Sequence, residues 1–203
     1  AQEGQLHVAQ LLLDRGADVN KARTDGATPL YIAAQMGELD VVQLLLDRGA
    51  EVNLARTTDG VTPLWIAAHY GELDVAQLLL EGGAEVNQTN TYGVTPLFIA
   101  AQEGQFAVAQ LLLKKGARVN QAMTDGETPL FIAAQQGKLD VARLLLDRGA
   151  EVNQAETTYG VTPLGIAAYK GQLDVVQLLL DRGAKVNQAD DYGVTPLYMA
   201  AQE

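Results

Sequence analysis

The chain has 203 residues, 48% apolar and only 5% aromatic, with 14 basic against 25 acidic side chains and a formal net charge of −11. That balance repels phosphate backbones and anionic lipid, and so argues against nucleic acid and membrane surfaces as partners. There is no cysteine, which excludes disulfides and thiolate metal sites and fits a cytoplasmic location, and no apolar run approaches the ~18 residues of a membrane helix.

In chain order, the first element is a helix through Leu11-Leu12-Leu13, ended by Gly16. A second helix begins at Thr28, a good N-cap, followed by Pro29 at the first helical position, where a fixed φ suits the helix and the missing N–H costs nothing. Leu30, Ile32, Ala33 and Ala34 give it a compact apolar face, and Gly37 stops it. The next helix runs from about Glu38 to Asp47, with Leu39, Val41, Val42, Leu44, Leu45 and Leu46 spread over too wide an arc for one stripe. Residues from Ala50 to Gly60 form a connection containing Asn53 and Asp59-Gly60, which is turn and hairpin chemistry.

The same order of elements then repeats. Thr-Pro-Leu begins at Thr28, Thr62, Thr95, Thr128, Thr162 and Thr195, at spacings of 34, 33, 33, 34 and 33 residues. Leu-Leu-Leu starts at Leu11, Leu44, Leu78, Leu111, Leu144 and Leu178, and Gly-Ala-x-Val-Asn ends at Asn20, Asn53, Asn87, Asn120, Asn153 and Asn187. The units are read as 1–20 (second helix only), 21–53, 54–87, 88–120, 121–153, 154–187 and 188–203 (first helix only), a single array without linkers. Helix pairs this short bury their faces only by stacking. The extra loop residue at Thr57-Thr58-Asp59 recurs at Thr157-Thr158-Tyr159, and Ala1 to Gln5 recurs at Ala101 to Gln105, which points to duplication of a three-unit block.

Thr62-Pro63-Leu64, Ile66-Ala67-Ala68, Gly71, Leu78-Leu79-Leu80, Gly83-Ala84 and Val86-Asn87 closely resemble the ankyrin repeat pattern, and the resemblance covers the whole chain. It implies an all-α solenoid of helix-turn-helix units with β-hairpin loops, elongated and gently curved, serving as a scaffold for protein partners. Binding would use hairpin tips and the concave first-helix face. Two family histidines are missing. The first, which bridges neighbouring units in the family, is replaced by Tyr31, Trp65, Phe98, Phe131, Gly165 and Tyr198. The second is replaced by Glu38, Glu72, Gln105, Lys138 and Gln172. The loop Asp survives only as Asp190, with Asn90 as its near relative and Arg23, Thr57, Met123 and Thr157 elsewhere.

Variation within the chain falls in three columns, which supply the candidate partner-binding residues. The hairpin column contributes Asp25, Asp59, Tyr92, Asp125, Tyr159 and Tyr192. The column after Thr-Pro-Leu contributes Tyr31, Trp65, Phe98, Phe131 and Tyr198, for which packing between units is the competing role. The pair closing each first helix contributes Met36, His69, Tyr70, Tyr169 and Lys170. Tyr and Trp combine apolar area with a polar handle, which suits interface anchors.

Only His7 and His69 could serve as imidazole bases or ligands, and they lie two units apart. With no catalytic constellation, metal-ligand spacing or nucleotide loop, the chain is read as a non-enzymatic binder of a protein partner, without cofactor or metal. The alternative is a structural array that self-associates head-to-tail through its two half-units.

Overall fold

The computed structural model describes residues 2–202, with side chains from Gln5 onward; Ala1 and Glu203, which the sequence reading places in the two half-units, lie outside them. The helices among these residues are α1 (Gln2–Asp14), α2 (Pro29–Gln35), α3 (Leu39–Asp47), α4 (Pro63–Tyr70), α5 (Leu73–Glu81), α6 (Pro96–Glu103), α7 (Phe106–Lys114), α8 (Pro129–Gln135), α9 (Leu139–Asp147), α10 (Pro163–Tyr169), α11 (Leu173–Asp181) and α12 (Pro196–Ala200). Even-numbered helices form one row and odd-numbered helices a second row behind it. From α2 to α11 each helix touches its partner within a unit, and along each row every helix touches its neighbour in the adjoining unit.

Every first-row helix starts in the same way. The hydroxyls of Thr28, Thr62, Thr95, Thr128 and Thr162 each accept the N–H three residues on at 3.1 Å, and Thr195 does so at 3.3 Å. Such a cap contributes about 1 kcal/mol. Gly71 and Gly104 end α4 and α6 in the left-handed region, both at φ +79°, which only glycine adopts without strain. Helices of five to nine residues are not stable alone. They persist because Ala34, Ala67, Ala68, Ala100, Ala101, Ala133, Ala134 and Ala167 are completely buried, their small side chains letting neighbouring first helices approach. Behind them Leu79, Leu112, Leu145 and Leu179 are fully enclosed, each worth about 2 kcal/mol of apolar burial.

The loops close as hairpin turns without a ladder long enough to make a strand among the described residues. One backbone bond closes each turn: Arg23 N–H to Ala27 O, Arg56 to Val61, Asn90 to Val94, Met123 to Glu127, Glu156 to Val161 and Asp190 to Val194, all between 2.9 and 3.1 Å. A second bond joins each loop to the one before it, as from the Thr57 N–H to Asp25 O and from the Asp191 N–H to Tyr159 O. With one bond per side, hairpin pairing never becomes a β-sheet. The inserted residue of the longer loop is absorbed by a wider turn: the Gly60 N–H reaches back four residues to Arg56 O, where the Gly26 N–H reaches back three to Arg23 O.

The repeating asparagine is a joint between units as well as a turn former. Asn53 Oδ1 accepts the Glu85 N–H at 2.9 Å while its Nδ2 donates to Gly83 O at 3.2 Å. Asn87 makes the same pair with Arg118 and Gly116, Asn120 with Glu151 and Gly149, and Asn153 with Lys185 and Gly183. At the position of the family's second histidine, glutamine bridges neighbouring units: Gln105 Nε2 donates to His69 O at 3.2 Å and Gln172 Nε2 to Gln135 O at 3.4 Å.

Candidate partner-binding surface

The three variable columns differ sharply in what the stack leaves accessible. In the column after Thr-Pro-Leu, Tyr31, Phe98 and Phe131 are only 2–3% exposed. This corrects the sequence reading for those three residues: they are packing residues rather than partner contacts. The vacated histidine position lies between units, so a ring placed there is covered by the next unit. Arg56 of that next unit sits over the Tyr31 ring at 5.1 Å, and burial, the main cause, raises the Tyr31 hydroxyl above the usual tyrosine value. Trp65 is half-buried and Tyr198 exposed.

Around Trp65 the pair column completes a cluster. Trp65 stacks on His69 with ring centroids 5.7 Å apart, and His69 meets Tyr70 edge-on at 4.7 Å. Gln35 of the preceding unit donates to the Tyr70 hydroxyl at 3.3 Å. Glu103 of the following unit lies 3.8 Å from His69 Nδ1 and accepts from Gln102 Nε2 at 3.1 Å. The cluster therefore spans three successive units. Trp65 Nε1 and His69 Nδ1 are enclosed without a hydrogen-bond partner, an unusual condition for buried polar atoms. Met36 stands exposed on the α2 side, and Lys170 lies over the Tyr169 ring at 4.9 Å on α10.

The hairpin tips carry the remaining candidates. Tyr92, Tyr159 and Tyr192 are exposed, Tyr192 by 75%, and Tyr159 and Tyr192 approach each other at 6.3 Å between ring centroids. Asp25 and Asp59 are partly covered and already occupied, since each binds an arginine of its own loop: Arg23 Nε donates to Asp25 Oδ1 at 2.9 Å and Arg56 Nε to Asp59 Oδ1 at 3.0 Å. The Arg23 bond and the Ala27 N–H hold the Asp25 carboxyl well below the usual range, and the Arg56 bond lowers Asp59. Asp125 accepts from the Glu127 N–H at 3.4 Å.

Two functional details of the loops escaped the sequence reading. The first is Glu156. Structurally it occupies the loop-Asp position, because the inserted residue shifts the register that had placed Thr157 there; Arg56 likewise replaces Thr57. Its carboxylate accepts the N–H groups of Thr158, Tyr159 (2.9 Å) and Val161 (3.0 Å). Burial raises the Glu156 carboxyl, but the backbone donors together outweigh it and hold the value low. Glu156 thus does for Tyr159 what Asp190 does for Tyr192, whose N–H it accepts at 2.9 Å. The second is Glu127, which stands where Ala27, Val61, Val94, Val161 and Val194 stand in the other loops. Burial, with the neighbouring charges of Asp125 and Glu156, pushes its carboxyl up to about 7. That one acid in an apolar column was the available signal.

Among the described residues no group of three or more His, Asp or Glu is placed to hold a metal, and no helix is long and apolar enough to cross a membrane. A constant frame of stacked helix pairs, varied only at tips and rims, defines a repeat solenoid of the interaction type. The chain belongs to the ankyrin repeat family: the family profile described as "Ankyrin repeats (3 copies)" matches residues 1–90, 55–123, 82–156 and 153–203. Among solved structures it is similar to the crystal structure of the human ASB11 ankyrin repeat domain, with 28% identity and a TM-score of 0.90 over 100% of this chain and 90% of that one. The comparison with curated proteins returns no match. Domains of this family are generally protein–protein interaction modules and typically non-enzymatic.

Proposed function

We propose that the array is a scaffold that holds a protein partner between its hairpin tips and its first-helix face. The supporting observation is the placement of exposed tyrosine: Tyr92, Tyr159 and Tyr192 stand on the tips and Tyr70 and Tyr169 at first-helix ends. Rigid aromatic side chains that also carry a polar hydroxyl are efficient anchors because few rotatable bonds are frozen on binding. The Trp65–His69–Tyr70 cluster supplies a larger apolar step on α4, the second helix of the first row.

Capture from a lysate of the source, followed by mass spectrometry, identifies the partner. The Tyr92→Ala and Tyr192→Ala variants should lose that partner while their circular dichroism stays unchanged. Undiminished capture by both would mean that the tips are not the contact. A second reading, head-to-tail association, is favoured by the exposed apolar side chains of Val8, Leu11 and Leu12 on α1 and Leu197 on α12. Sedimentation equilibrium showing a monomer at all concentrations removes it.

A further inference from the structure

Helices α1 and α12 each expose a face that is covered everywhere else in the stack. α1 is a second-row helix with no first-row partner among the described residues. Its Val8 and Leu12 are exposed, whereas their counterparts Val108 and Leu112 are buried. Ile32 on α2 is 39% exposed, although Ile66, Ile99 and Ile132 at the same position are 4–6% exposed. Between these helices lies a groove of about 710 Å³ walled by Ala9, Ile32, Ala33 and Val41, with Lys21 and Glu38 at its rim. α12 is the converse, a first-row helix without a second-row partner. Its Leu197 is 78% exposed, where Leu30, Leu64, Leu97 and Leu130 are 1%, and Tyr198 is open where Tyr31, Phe98 and Phe131 are covered by the next unit.

Polar groups at the two ends match as well. Asn153 grips Gly183 O and the Lys185 N–H of the following unit, whereas no hydrogen bond among the described residues engages the Asn187 side chain. Gly16 and Asp18 stand at the positions of Gly183 and Lys185. Where a second helix ends in Asp and the next is followed by Arg, the two pair: Arg48 with Asp14 at 2.9 Å and Arg182 with Asp147 at 2.8 Å. Asp181 and Arg15 are the same pair of positions taken from opposite ends of the chain. Glu38 does not oppose a helix in the groove, because Glu72 holds its place in the occupied joint between α2 and α4, beside Gly37.

We infer that α12 of one copy seats in the groove between α1 and α2 of a second copy, so that α12 and α1 together make one more complete unit. This rests on the head-to-tail reading above and assigns its surfaces and register. The occupant follows from continuity with the joints already formed, since a helix that begins Thr-Pro-Leu fills this place beside α4, α6, α8, α10 and α12. In that register Leu197 covers Val8 and Leu12, Asn187 grips Gly16 and Asp18, and Arg23 comes over the Tyr198 ring as Arg56 lies over Tyr31. Ala1-Gln2-Glu3 repeats Ala201-Gln202-Glu203, so the joined unit needs only one of the two trios. The contact is heterologous, and each added copy presents the same groove to the next.

The test is sedimentation velocity of the full chain at rising concentration, where the average mass should climb past that of a dimer. Leu197→Asp and Val8→Asp should each weaken association about tenfold or more. Both positions are exposed within one copy, so melting curves should stay level and exclude misfolding. A mixture of the two variants is the decisive arm. One intact α12 face then meets one intact groove, and assembly should stop at a one-to-one dimer. Tyr92→Ala should leave association unchanged, which separates this seam from the hairpin tips. A monomer at every concentration would remove both the head-to-tail reading and this seam. Association that ignores Leu197→Asp and Val8→Asp, or a mixture that grows beyond the dimer, would keep self-association and overturn the seam alone.

Discussion

Tyr92 and Phe98 stand six residues apart in one unit and have opposite surroundings. Tyr92 projects from a hairpin tip and is 62% exposed; Phe98, on the first turn of α6, is 2% exposed. The difference lies in neither the residue type nor the local backbone of each unit. The next unit passes over the helix position and leaves the tip uncovered. In a stack, burial is a property of the joint between units, so identical columns can serve packing in one place and recognition in another. Trp65, half-buried in the same column as Phe98, sits between the two cases.

The comparison can be broken most forcefully at Phe98. Replacing Phe98 by Ala should cost about 3–5 kcal/mol and lower the urea midpoint markedly, because the cavity opens between two units that cannot close on it. A loss below about 1 kcal/mol would show that the column does not bind the stack together. The joint itself is tested by Asn87→Ala, which removes two bonds to the following unit and should cost about 1–2 kcal/mol by chemical denaturation.

Glu127→Val sharpens the same contrast from the opposite direction, by giving one loop the apolar residue its counterparts have. Because the folded-state value of about 7 lies above that of an unfolded glutamate, protonation favours the fold. The advantage is complete at acid pH and is lost as pH rises through about 7. The variant should therefore gain about 1 kcal/mol near pH 8, discounted for a half-exposed site, and little near pH 4. Melting curves across that range check both the sign and the window. Smallest in stability is Tyr192→Ala, expected within about 0.5 kcal/mol of the parent by the same denaturation, while partner capture fails.

Much of the fold was legible because its causes are local. Thr-Pro-Leu carries its own cap and first turn, and the Leu-Leu-Leu helix carries its own apolar excess, so six recurrences sufficed to fix the array. What the sequence hid depends on a neighbour. Asn53 reads as a turn residue until Glu85 and Gly83 of the next unit come within bonding distance. Tyr31, Phe98 and Phe131 could equally pack or project, since nothing within their own unit decides it. Glu156 was misplaced because one inserted residue moves the column by one, and a carboxylate with an extra methylene spans that shift. Glu127 was visible as a lone departure from its column, but only the packed loops give that departure a consequence.

The asparagine joint has a further consequence for how such a chain can change. Asn53, Asn87, Asn120 and Asn153 grip main-chain N–H and C=O groups of the following unit, whatever side chains stand there: Glu85, Arg118, Glu151 and Lys185 are held alike. A coupling that ignores side-chain identity is interchangeable. Excising any internal unit, for example residues 88–120, brings together two ends that already fit. An array built this way can lengthen, shorten or be reordered by recombination without inventing a new interface.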